Sequence, residues 1–271
     1  GFDMTLYLNK AQHFQEEIPL SVPTEPEEMA ISYNYEIPTE NSHYRYNVTN
    51  FDYEWKSLPD SHIVELSDDT INMKEIGFKF YYYGEEYENL TICSNGWVSF
   101  EPCLKHPDEN NYQNCNQLAY FFNNSITSPL GPYGMLAPFF DDLDDNEGNE
   151  PFNVWYWSNA EDSLIVQWDD VANGQHDEDC IPDDPLSCPR HTFRLILDGN
   201  PDSCNEEGCN GDIIFAYESI MDVDDHGSTV GIESPDKNQG VQYLFNTDLD
   251  DMAYPNVEDL NGANGIRFFV R

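Results

Sequence analysis

The side chains of this chain with the clearest capacity for chemistry are clustered carboxylates. In Asp141-Asp142-Leu143-Asp144-Asp145-Asn146-Glu147-Gly148-Asn149, the residues Asp142, Asp144 and Asn146 alternate as the first ligands of a calcium loop do. Calcium is held by such hard oxygen donors. The glycine arrives one position late and no glutamate stands twelfth, so this is not an EF-hand. The expected site is Asp141, Asp142, Asp144 and Asn146 with a distant carboxylate, set against a solvated acidic turn after a strand. A second run, Asp222-Val223-Asp224-Asp225-His226-Gly227, places Glu233 twelfth counting from Asp222. Its candidate ligands are Asp222, Asp224 and Glu233, but a histidine occupies the fifth position and the flanks read as strand, which favours coincidence. Asp198-Gly199-Asn200-Pro201-Asp202 is a third and less complete version. Calcium is the cofactor these runs imply.

Reaction motifs are absent. The chain has no G-x-S-x-G, no H-E-x-x-H and no phosphate-binding glycine loop. His226-Gly227-Ser228 has no partner residues that would make a base and an orienter. With 52 acidic residues, close carboxylate pairs must occur somewhere, so a glycosidase reading gains nothing from them. The expected protein is therefore not an enzyme. Tyr81-Tyr82-Tyr83, Trp155-Tyr156-Trp157 and Tyr120-Phe121-Phe122 offer flat faces to a polysaccharide, although strand alternation turns half of each set into a core.

Seven cysteines occur, and six fall into short-range pairs in loop-like sequence. Cys103 with Cys115, Cys180 with Cys188 and Cys204 with Cys209 is the expected pairing, though spacing alone does not fix connectivity. Without a C-x-x-C, zinc is the poorer reading. Cys93, in the apolar run Leu90–Cys93, is expected to be a buried, unreactive thiol. Sequons stand at Asn47, Asn89 and Asn123. Together with the disulfide pattern they favour an oxidising, extracellular or cell-surface location.

Charge and composition narrow the partners. The 52 Asp and Glu against 11 Lys and Arg leave a net charge of −41, which repels nucleic acid and anionic lipid, so neither is an expected partner. Such acidity alone would suggest disorder, but 17 Tyr, 16 Phe and 5 Trp supply the material of an ordered core. No apolar stretch is long enough for membrane insertion. The start shows neither the basic residues nor the apolar run of a signal peptide, which implies a processed chain.

The elements that must position these residues read as strands. Period-two patterning marks Met29–Ile37, Ile76–Tyr83, Phe152–Trp157, Ser163–Trp168, Thr192–Leu197, Asp212–Tyr217, Val241–Phe245 and Ile266–Val270. Turn residues separate them, among them Asn95-Gly96, Asp198-Gly199, Asn210-Gly211 and Asn264-Gly265. No stretch carries a helical stripe. The expectation is an all-β, antiparallel β-sandwich, jelly-roll-like, over 46–271. Residues 1–45, punctuated by Pro19, Pro23, Pro26 and Pro38, are expected to form an extended N-terminal arm with strand-like segments Met4–Leu8 and Met29–Ile37. Such an arm either packs on its own domain or adds to a neighbour's sheet edge.

One ordered series of motifs carries a resemblance. It runs Gly77-Phe78-Lys79-Phe80-Tyr81-Tyr82-Tyr83-Gly84, then Leu90-Thr91-Ile92-Cys93-Ser94-Asn95-Gly96-Trp97-Val98-Ser99-Phe100 and Ala137-Pro138-Phe139-Phe140-Asp141-Asp142-Leu143. Val166-Gln167-Trp168-Asp169, Thr192–Leu197, Gly211–Tyr217 and Thr229–Glu233 complete it. In this series the chain resembles the non-catalytic β-sandwich modules of large secreted bacterial surface proteins and peptidases. The resemblance implies a sandwich and an accessory role. Cys93, where those modules more often have a small polar residue, and the cysteine-bearing insertions at 101–117, 176–190 and 200–210 depart from it. Two functions remain in view. The first is a structural subunit of an extracellular fibre or surface layer, a homopolymer joined by N-terminal strand donation. The second is a carbohydrate- or protein-binding accessory module of a larger secreted enzyme.

Overall fold

The computed structural model describes residues 45–58, 61–100, 104–105, 112–113, 123–128, 131–144, 153–173, 190–200, 209–220, 228–245 and 264–270. Alternating apolar residues make these segments strands. The first are β1 (Tyr46–Phe51), β2 (His62–Ile63), β3 (Ile71–Tyr82), β4 (Glu85–Cys93) and β5 (Val98–Ser99). The short pair β6 (Leu104–Lys105) and β7 (Tyr112–Gln113), then β8 (Met135–Phe140) and β9 (Leu143–Asp144), follow. The second half contributes β10 (Val154–Ser158), β11 (Ser163–Asn173), β12 (Arg190–Asp198) and β13 (Asp212–Ile220). It ends with β14 (Thr229–Glu233), β15 (Gly240–Phe245) and β16 (Gly265–Val270). No helix occurs among the described residues.

Two antiparallel sheets face each other as a β-sandwich. The larger has the order β1-β16-β13-β12-β11-β10-β2, with β9 paired to β11; the smaller has the order β15-β14-β8-β5-β4-β3. Between them lies the core. β11, β12 and β13 send Leu164, Val166 and Trp168, then Phe193, Leu195 and Leu197, then Ile213, Phe215 and Tyr217 inward. Leu90, Ile92, Leu136, Phe139, Val230 and Ile232 of the smaller sheet meet them. Stacked rings of Trp168 and Phe193, 5.1 Å apart, mark the middle of this layer.

Both sheets are also covered on their outer faces, which alternation alone does not predict. Cys93, Trp97, Ile126, Met135, Ala137 and Phe140 form a second apolar cluster. These residues alternate with the inward-facing Ile92, Leu136 and Phe139, so the centre of the smaller sheet is buried on both sides. On the larger sheet, the connection after β1 crosses the outer face and is held there by Arg194. This side chain is 1% exposed. Its guanidinium donates to the Lys56 carbonyl and the Tyr53 hydroxyl at 3.1 Å, and to Gln167, and lies 3.6 Å over the Trp55 ring.

Turn chemistry follows local demands. Tyr83 and Gly84, with φ of 49° and 80°, connect β3 to β4 as a two-residue hairpin turn of the kind that needs both central residues left-handed. Asn210-Gly211, expected as a turn, instead bridges the sheets: Gly211 donates to the Tyr81 carbonyl at 2.8 Å and Asn210 accepts from Gly84 at 2.8 Å. Residues 1–44, and with them the expected arm strands Met4–Leu8 and Met29–Ile37, lie outside the described residues.

Candidate functional site

The motif segments of the sequence meet at one place, the turn between β4 and β5. Cys93 donates to the Trp97 carbonyl at 2.9 Å and closes the turn. Asn95, fully buried, works with both ends of its amide. Its Oδ1 accepts from the Leu143 backbone at 3.1 Å, and its Nδ2 donates to Asp69 at 2.8 Å. Thus one side chain ties the β4–β5 turn to the start of β9 and to the turn before β3. From the opposite sheet, Trp168 Nε1 donates to the carbonyls of Cys93 and Ser94, both at 3.1 Å. Tyr217 reaches across in the same way to the Pro138 carbonyl at 2.7 Å. Gly96, at φ 74°, lets the turn press against β8, where Phe139 donates to its carbonyl at 3.3 Å.

This arrangement braces two sheets. Most of its hydrogen bonds run to buried backbone groups. The nucleophile within it, Cys93, is a free and fully buried thiol, and desolvation pushes it well above the usual thiol range. The expected inert thiol is therefore found. Asp141 is 2% exposed, and its Oδ1 accepts from the Asp142 backbone at 3.0 Å. Asp142 and Asp144 are half-buried, while Asn146 lies outside the described residues.

A second anchoring carboxylate is Glu233, at the end of β14. It is 1% exposed; one oxygen accepts the Thr127 amide at 2.7 Å, and the other has no hydrogen-bond partner among the described residues. It holds the segment 123–128 over the smaller sheet. Gly231 and Gly240 allow this close approach, since a Cβ on either would stand 2.8 or 2.4 Å from the Ile126 side chain. Burial pushes the Glu233 carboxyl up to about 7, and the Lys237 charge and the Thr127 amide oppose that shift. A raised carboxyl means that the folded state holds the proton more tightly than the unfolded chain does. The stabilisation is complete below the ordinary glutamate value and is lost as pH rises through 7, at about 1.4 kcal/mol per pH unit at most. Glu233→Gln should therefore match the parent in melting temperature near pH 4.5 and exceed it by several degrees at pH 8. Parallel melting profiles of the two proteins across that range would refute the account.

The remaining sequence candidates separate as follows. Asp222 and Asp224 lie outside the described residues, and so do Cys103, Cys115, Cys180, Cys188 and Cys204. Cys209 is disulfide-bonded. Among the described residues, no three His, Cys, Asp or Glu side chains come together as a group able to hold a metal ion. Asn47 and Asn89 are exposed on strands, and Asn123 is half-buried. Of the aromatic triplets, Tyr82 is fully buried and donates to the Glu233 carbonyl, while Tyr81 and Tyr83 are half-buried. Trp155, Tyr156 and Trp157 are half-buried as well, and Tyr120, Phe121 and Phe122 lie outside the described residues. Arg194 escaped notice in the sequence. Its one signal there is a lone cation inside the apolar run Thr192–Leu197.

Comparison with known proteins identifies part of the chain. The model of the NIDO-related family matches residues 44–180, just over half of the sequence. No curated protein and no solved structure matches it.

Proposed function

The chain belongs to the NIDO-related family, a family of extracellular modules, and from that premise we propose that it is a non-catalytic structural and adhesive building block outside the cell. In this reading the copies join into a fibre or surface layer through the N-terminal arm. One observation carries the proposal: β1, the strand that follows the expected arm in the sequence, is an edge strand of the larger sheet with no partner on its outer side among the described residues. An edge strand presents unpaired backbone groups to any extended segment that reaches it. β1 also carries Val48, an exposed β-branched residue, and lacks the proline or lysine that would blunt pairing. A contact between one copy's arm and the next copy's sheet is heterologous and repeats without closing.

Deleting residues 1–40 should leave soluble, folded monomers where the full chain forms polymers. Electron microscopy and light scattering read the outcome, and polymers that persist after the deletion would end the strand-donation reading. Calcium belongs to the same proposal, held within the acidic run 141–149 by Asp141, Asp142, Asp144 and Asn146 with a distant carboxylate. Chelation by EDTA should then lower the melting temperature, and an unchanged value would remove calcium from the reading. A second reading, a carbohydrate- or protein-binding accessory module, draws support from hollows beside β4 lined by Tyr87 and Phe78. It requires that the monomer alone be retained on a polysaccharide or a cell surface.

A further inference from the structure

The three sequons are alike in sequence, and the fold separates them. Asn47 on β1 and Asn89 on β4 are exposed, and neither side-chain amide makes a hydrogen bond among the described residues. Asn123 is half-buried, interacts with its neighbours, and sits in the segment clamped to the smaller sheet, where Thr229 Oγ1 donates to the Asn124 carbonyl at 2.9 Å. Asn89 has a further distinction. Between the pairs Glu75–Asn89 and Phe80–Tyr87, β3 carries more residues than β4 does, and the surplus forms a bulge. Two adjoining hollows result, one lined by Phe78 and Lys79, the other by Tyr87 and Phe100, and Asn89 and Glu88 line both.

We propose that Asn47 and Asn89, and not Asn123, carry N-linked glycans, and that the Asn89 glycan lies in the hollows around its own attachment point. The inference rests on the extracellular reading above. The modification joins the Asn Nδ2 to the anomeric carbon of an oligosaccharide carried on a polyisoprenoid pyrophosphate. The amide gives up one proton, the sugar–phosphate bond breaks, and the lipid pyrophosphate leaves. The Thr91 hydroxyl that the sequon requires is 1% exposed, and β4 is paired on both sides, to β3 and β5. Asn89 is therefore modified before β4 pairs, while the segment is still extended; a glycan added to Asn123 at that stage would keep the segment 123–128 from seating on the smaller sheet, so the folded chain carries none there. Once the chain folds, the apolar faces of the first sugars meet the Phe78 and Tyr87 rings, and Glu88 accepts from their hydroxyls. The Asn47 glycan stands on the outer face of the larger sheet. Its side chain alternates with the buried Tyr46, so the backbone edge of β1 stays open for pairing.

The test uses the full chain secreted from a eukaryotic host. N-glycan amidase in heavy-oxygen water marks each released site for peptide mapping. Label is expected at Asn47 and Asn89 and none at Asn123. Under native conditions release at Asn89 should be roughly tenfold or more slower than at Asn47, because the enzyme must wait for the glycan to leave its hollow. The two rates should become equal after denaturation. An occupied Asn123, an empty Asn89 or equal native release rates would overturn the inference. The parent reading fails separately. A chain retained in the cell with its cysteines reduced contradicts an extracellular module, whereas a secreted chain with Cys209 oxidised and Asn89 bare refutes the glycan inference alone.

Discussion

Gly96→Ala is expected to abolish most of the stability of the domain. A Cβ at this position would lie 1.8 Å from the Phe139 carbonyl oxygen and 2.8 Å from its carbon. Both are backbone atoms of β8, which is paired on each side, to β5 and to β14, so neither can yield without breaking a ladder. The left-handed backbone, at φ 74°, adds about 1 kcal/mol for any residue with a Cβ. The combined loss should exceed about 4 kcal/mol, against a typical domain stability of about 5–15 kcal/mol. Gly131→Ala supplies the control. That residue shares the left-handed conformation at φ 83°, but its Cβ would meet nothing within 4 Å. Urea unfolding should find Gly131→Ala within about 1 kcal/mol of the parent. If the two variants lose similar amounts, the packing account of Gly96 is wrong.

Removing Arg194 should cost nearly as much and should free a specific segment. The buried guanidinium is held by a carbonyl, an amide and a hydroxyl, with no carboxylate among its hydrogen-bond partners in the described residues. Those neutral partners and the Trp55 ring must offset its desolvation. A desolvated cation–π contact contributes about 2 kcal/mol, and hydrogen bonds to charged groups about 1.5–3 kcal/mol each net of their exchange with water. Arg194→Met keeps much of the volume and leaves the Lys56 carbonyl and Gln167 without their donor. We expect a loss of about 2–4 kcal/mol. Lysine restores the charge but neither the planar fork nor the stacking, so Arg194→Lys should recover little of it. The local signature is faster tryptic cleavage after Lys56 and a red-shifted Trp55 emission in the still-folded variant. A variant as stable as the parent, with Lys56 equally protected, would show that Arg194 does not anchor the connection.

Both residues show how far local pattern reaches in this molecule. Period-two alternation located eight strand cores, and for the seven that fall among the described residues the observed strands β3, β10–β13, β15 and β16 extend or overlap them. Alternation suffices there because each of these strands sends every second residue into a single shared core. It misreads positions where the partner comes from a distant part of the chain. Asn95-Gly96 is legible as a tight turn, yet nothing local shows that Asn95 will bind the backbone of Leu143 or that Gly96 will press on Phe139. Those contacts exist only once β8 and β9 have been laid beside β4 and β5.

The candidate site divides in the same way. Carboxylate runs, cysteines and sequons are visible as residue types, because chemistry attaches to the type. Which of them gather depends on which loops the sheets bring together. Glu233 was marked by its spacing from Asp222, but its environment comes from the Thr127 amide and the trough that two glycines leave for Ile126. The sequence by itself determined an acidic, aromatic-rich, all-β module without reaction motifs, since composition and period depend on neighbours along the chain. Only the tertiary structure decided that its ordered motifs are a brace between two sheets. Hydrogen bonds between residues dozens of positions apart, such as Trp168 to Cys93, are set by strand order and register, which no local pattern encodes.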